Sequence, residues 1–195
     1  MQAKLPPSSE KWQGDGMIAF HGSPCLFDRF DASKLGSVCK HTGSEGSGMY
    51  VANSRYVASC YSAPPPYSTG FLYEVEAPDG VYIDNDKLCA EQPEPVRTLM
   101  LEAIERLTLS GPMSGYRKFR IDNAPTTPDV PSQVGQVLYY ARKSGNSLEP
   151  VLAAQGYVGC MKRQEERGGY VEFAVFEPSV LRILSVAEHK ERIAA

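Results

Sequence analysis

A mixed α+β domain is the fold class that this 195-residue sequence predicts, and three observations predict it. Short apolar runs with strand-like character recur along the chain, about seven or eight of them. Helical periodicity appears between them without a regular β-α alternation, which disfavours a doubly wound parallel sheet. Fifteen prolines and seventeen glycines interrupt the chain too often for a helical bundle. The expectation is one domain over residues 16–188, with split mixed or antiparallel sheets and flanking helices. Residues 1–15 read as a flexible N-terminal segment and 189–195 as a C-terminal tail.

The elements follow from local chemistry. Met17 to Ser23 is a short apolar run, read as strand. The segment Phe27 to Leu35 reads as a loop or helical turn that tucks Phe27 and Phe30 inward, and the glycines of 36–48 mark a loop. Gly48 to Ala52 reads as strand. Ser54 is then a good N-cap for a short helix through Ser62, with Val57 and Tyr61 on one face at i, i+4. Pro64, Pro65 and Pro66 must end that helix. Phe71 to Ala77 and Val81 to Asp84 read as strands around a Pro78-Asp79-Gly80 turn. Val96, Leu99, Met100, Ala103, Ile104 and Leu107 keep helical period over three turns. Residues 110–131 are turn-rich. A second helix is marked by Val134, Val137, Leu138 and Ala141, with Ser132 as its cap. A third runs from Ser147 to Gln155 and stops at Gly156. Val158 to Lys162, Tyr170 to Phe176 and Leu181 to Val186 read as closing strands.

Composition excludes several classes of function. Hydrophobic residues make up 42% and charged residues 22%, enough to bury a real core. A net charge of −3 and the lack of any Lys/Arg-rich run argue against nucleic acid as a partner. The five cysteines, Cys25, Cys39, Cys60, Cys89 and Cys160, are odd in number and form no C-x-x-C pair. That spacing indicates neither a metal site nor a redox motif, so mostly buried, reduced thiols are expected. The first 15 residues lack the apolar core of a secretory signal, and no run reaches membrane-spanning length. The expectation is a cytoplasmic fold with no membrane partner, with export by a dedicated secretion system left open.

Three residues stand out in strand-like apolar surroundings: His21, Tyr50 and Glu172. Glu172 is the only charge among Val171, Phe173, Ala174, Val175 and Phe176, so it either faces solvent or points into a cleft. His21 closes an apolar run and is followed by Gly22 and Ser23. A glycine there lets a flat ring approach the backbone, whose N–H and C=O can clasp a carboxamide. Tyr50 and Tyr61 are a strand and a helix end apart, and paired aromatics grip a flat heterocycle well. Each has an ordinary structural reading when taken alone: an exposed glutamate, a satisfied histidine, two core tyrosines. Glu91 to Glu94 and Glu165-Glu166 read as solvated loop.

Phe20-His21-Gly22-Ser23, then Gly48-Met49-Tyr50-Val51-Ala52 with Tyr61, then Tyr170-Val171-Glu172-Phe173-Ala174-Val175-Phe176, together resemble the His-Tyr-Glu signature of the ADP-ribosyltransferases. The likeness is to the branch of diphtheria toxin and the poly(ADP-ribose) polymerases. The run Leu72 to Gly80 with Glu91-Gln92-Pro93, and the run Ala154 to Gly159, resemble transferase domains of phage and mobile-element polyproteins. The resemblance covers roughly residues 17–186. It implies a split-sheet fold with NAD as substrate in a central cleft and no metal. His21, Gly22 and Ser23 would bind NAD, Tyr50 and Tyr61 would sandwich the nicotinamide, and Glu172 would be catalytic. The branch often has Ser where Ala58 stands. The residue two before Glu172 is Tyr170, not the Glu or Gln of arginine- and asparagine-modifying toxins.

The expected function is mono-ADP-ribosylation of a protein acceptor, in the manner of a bacterial effector or phage-borne toxin. The polar turn from Arg163 to Gly169 leads into the Glu172 strand, so Gln164, Glu165 and Tyr170 are candidates for acceptor recognition. Other readings are an NAD glycohydrolase, a non-catalytic NAD- or ADP-ribose-binding module, and an unrelated cysteine hydrolase using Cys160 and His189.

Overall fold

Residues 11–12, 16–35, 46, 48–63, 69–110, 133–165 and 168–190 are described by a computed structural model. Among the described residues eight strands form: β1 (Lys11–Trp12), β2 (Met17–Ser23), β3 (Met49–Ala52), β4 (Thr69–Ala77), β5 (Gly80–Asp84), β6 (Tyr157–Gln164), β7 (Tyr170–Val175) and β8 (Arg182–Lys190). The α-helices among the described residues are α1 (Arg55–Cys60), α2 (Val96–Ser110), α3 (Val134–Lys143) and α4 (Glu149–Ala154). The architecture is mixed α+β, as the sequence predicts. Among the described residues no helix is long and apolar enough to cross a membrane.

Sequence neighbours are mostly not sheet neighbours. The strand order is β1-β5-β6-β7-β3-β2-β4-β8. Every pairing is antiparallel except β5 with β6. A parallel pair needs a long crossover, and α2, α3 and α4 lie in that connection. They cover one face of the sheet. Val96, Met100, Ala103 and Ile104 of α2 and Val134, Val137 and Leu138 of α3 bury there with Ile83, Cys160 and Ala174. The other face carries a second core, in which Val51, Tyr73, Val75, Tyr82, Met161 and Phe173 pack with Phe30 and Leu181 from the connections.

Several expectations need correction. The sheet is one ladder rather than two, although its halves meet at a single register pair, Phe20 with Ala52 between β2 and β3. Lys11 and Trp12 pair with Val81 and Gly80, so the lead-in contains a short strand. Strand β8 runs through His189 and Lys190, past the expected domain end, because β4 is long enough to pair with it there. Helix α1 has the expected cap, Ser54 Oγ accepting from Val57 N, but the residue it buries is Ala58, not Tyr61. Gln133 rather than Ser132 occupies the cap position of α3. Gln92, expected in solvent, is buried, and its Nε2 donates to the carbonyls of Asp84 (2.6 Å) and Lys87 (3.2 Å). Of the four cysteines described, Cys89 and Cys160 are buried, but Cys25 and Cys60 are exposed. Cys39, Ser132, the three prolines and the turn-rich segment 111–131 lie outside the described residues.

Candidate functional site

His21, Tyr50 and Glu172 lie on three adjacent strands, β2, β3 and β7. Cross-strand partners share a face, so register fixes which side chains are neighbours. Phe20, Ala52, Glu172 and Lys162 form one row across four strands. Two residues along, Tyr50, Ala174, Cys160 and Ile83 form the next row on that face. Tyr170 and Gln164 form the third. The face therefore grades from a core covered by helices to a polar border, and Glu172 stands at the transition. It is half-buried.

The Glu172 carboxylate is held from the neighbouring strand. Gln164 Nε2 donates to Glu172 Oε2 at 3.0 Å. The strand itself is clamped from the other side. Asn53 N donates to the Val171 carbonyl at 3.1 Å, and Val171 N donates to Asn53 Oδ1 at 2.8 Å. The Asn53 amide thus extends the β3–β7 ladder one step past its last backbone pair.

His21 alternates to the opposite face of β2, beside its register partner Tyr73. Its ring sits among Phe27, Phe30 and Tyr73, at centroid distances of 6.0, 5.4 and 6.1 Å. Beyond Phe20 and Ala52 the two strands part, and the imidazole spans the gap: His21 Nδ1 is 2.7 Å from the Tyr50 carbonyl oxygen. A carbonyl can only accept, so Nδ1 carries the proton. Burial holds the His21 pKa below the ordinary histidine range, opposed by the bond to the Tyr50 carbonyl. Neutral His21 therefore presents Nε2 as a hydrogen-bond acceptor, suited to a hydroxyl.

Gly22 is a point of close approach. A Cβ there would run into the Ala58 carbonyl, and one at Gly70 into the Ser62 carbonyl. Two glycines on adjacent strands thus let α1 lie directly on β2 and β4. The helix also touches β3, so it lies across the fork. Tyr61 caps its C-terminus, with 53% of its surface exposed. Tyr50 is partly buried against the first core, and its hydroxyl donates to the Gly46 carbonyl at 2.8 Å. Ser23 is buried, and its Oγ accepts from Cys25 N at 3.1 Å, closing the turn after β2. Of the candidate acceptor-recognition residues, Glu165 is exposed at the hairpin end and Tyr170 is half-buried beside Gln164.

Sequence reading missed the Asn53 clamp on β7, and assigned Gln164 to the acceptor rather than to Glu172. No local pattern announces these contacts, because each depends on strand register. The cysteine-hydrolase pairing has no geometric basis. Cys160 is buried in β6, and four strands separate it from β8. His189 Nδ1 instead lies 2.7 Å from Ser62 Oγ, whose own proton goes to the Ser59 carbonyl at 2.6 Å. No protein-family model, curated protein or solved structure matches the chain.

Proposed function

We propose that the chain is a mono-ADP-ribosyltransferase of the His-Tyr-Glu type, with NAD bound at the fork between β2 and β3. The observation that carries this reading is the adjacency of three strands that bring residues far apart in sequence to one fork, Tyr50 and Glu172 on one face and His21 on the other. Glu172, Tyr50 and His21 stand on consecutive strands, and His21 is bonded across the gap to the backbone of Tyr50. Under this reading His21 Nε2 accepts a hydrogen bond from a ribose hydroxyl of NAD, and Gly22 offers backbone groups to the carboxamide. Tyr50 and Tyr61 flank the nicotinamide ring.

Heterolysis of the bond between the ribose C1′ and the nicotinamide nitrogen leaves the electron pair on nicotinamide, which departs neutral. The ribose becomes an oxocarbenium-like cation, which a fixed carboxylate stabilises. Glu172 supplies that charge from a strand clamped on both sides. A nucleophilic side chain of the acceptor protein then bonds to C1′ and gives up its proton to solvent.

The test is incubation of purified protein with NAD labelled in its adenylate half, following free nicotinamide and label on candidate acceptor proteins. Release of nicotinamide with covalent label is expected. Nicotinamide release with only free ADP-ribose would identify a glycohydrolase. NAD binding without release would identify a non-catalytic module.

A further inference from the structure

We propose that Gln164 is a positioning residue for Glu172, its side-chain amide fixing the carboxylate in the orientation that faces the reacting ribose. This rests on the transferase reading and assigns Gln164 a role different from contact with the acceptor. The bond from Gln164 Nε2 to Glu172 Oε2, at 3.0 Å, is its first support.

The second support is that Gln164 is itself held. It ends β6, pairs with Tyr170, and its carbonyl accepts from Gly169 N at 3.1 Å, closing the hairpin. Glu172 has no backbone freedom either, because β6 and β3 pair with β7 on both sides and Asn53 prolongs the second pairing. The torsions of the Glu172 side chain are what the backbone pairing leaves to be set, and the Gln164 amide is one group that holds them.

The third support is chemical. A neutral donor takes one of the roughly four acceptor sites of a carboxylate without cancelling its charge. The titratable groups sharing this face include Lys162 and Cys160 on β6, Tyr170 on β7, Tyr50 on β3, and Glu74 and Glu76 on β4. Arg163 is directed instead to Asp84 and Asp86, at 3.5 and 3.4 Å. Gln164 thus orients Glu172 while leaving it able to stabilise a cation.

The experiment compares wild type with Q164M, which keeps length but loses the donor, and Q164E, which puts a second carboxylate in its place. Single-turnover nicotinamide release at saturating NAD should fall about tenfold in Q164M, the scale of one hydrogen bond to a charged group. The NAD dissociation constant should change less than about twofold, since the ground state does not depend on the bond. In Q164E the acid limb of the rate profile should move to higher pH, as two carboxylates cannot both ionise easily. A raised dissociation constant with an unchanged rate would overturn the proposal, since Gln164 would then bind NAD. The Glu172 carboxyl carbon resonance, recorded without NAD at neutral pH, should also move in Q164M. If wild type releases no nicotinamide, the transferase reading fails and this resonance alone decides: an unmoved signal overturns the contact, a moved one supports it.

Discussion

Glu172 and His21 carry opposite demands at the scale of single residues. Under the proposed transferase function, Glu172 must stay charged to stabilise a cation, whereas His21 must stay neutral to offer Nε2. Replacing Glu172 with Gln keeps the shape and removes the charge. Turnover of NAD should fall at least ~10²-fold while NAD affinity changes little, measured by nicotinamide release and calorimetry. Wild-type turnover in that variant would sink the role. His21 makes a separate prediction about stability. Its folded pKa lies below its unfolded value, so the folded state binds fewer protons between the two. The stability it contributes is full above about 6.5, the ordinary histidine value, and is lost as pH falls through the folded pKa. Thermal unfolding should therefore move to lower temperature as pH drops below that value. H21Q should show a smaller drop over the same interval. A drop of equal size in both proteins would mean that other groups drive the acid sensitivity. Glu172 was legible in the sequence because it is a lone charge in an apolar strand. Its partner Gln164 was not, because the contact depends on hairpin register, and a shift of one residue would turn the amide to the other face.

Helix α1 shows most clearly how elements are fitted together here. Its start is written in the sequence, with Ser54 as the cap, and S54A should cost about 1 kcal/mol in urea unfolding. Its seat was not legible, since Gly22 and Gly70 read as ordinary strand or motif glycines until the helix is placed on them. G22A forces a methyl group into the Ala58 carbonyl and should destabilise the fold by roughly 1–3 kcal/mol. Unchanged stability in G22A would show that α1 can lift away freely. The two tyrosines then separate by what their elements do. Tyr61 is half exposed at the helix end, so Y61A should weaken NAD binding by roughly 1–2 kcal/mol and leave stability unaltered. Tyr50 packs on the first core and bonds Gly46, so Y50A should weaken binding and also lower the unfolding midpoint. Unchanged NAD affinity in both variants would return the rings to a purely structural role. Helices α2 and α3 were the most legible elements, because helical periodicity over several turns is a local property.

At the scale of the whole molecule, the existence of every described strand but β1 was readable, and strand order was not. Strand β7 lies between β3 and β6, and its partners in β3 are more than a hundred positions earlier in the chain. Non-local pairing of that kind leaves no trace in a sequence window. Thiol accessibility gives a check on the global packing. With Cys39 replaced by Ser, Cys25 and Cys60 should react with a thiol reagent in the native protein. Cys89, its thiol pushed up to about 12 by burial, and Cys160 should react only after denaturation. Fast native labelling of Cys89 would contradict the first core as described. The single pair joining β2 to β3 also gives the sheet a grain. A sheet resists tension across its strands through the hydrogen bonds of each ladder, and this ladder has one step where its neighbours have several. Pulled by handles on β4 and β6, the molecule should part first along that seam. The His21 bond to Tyr50 and the short helix α1 are the stitches that must tear with it.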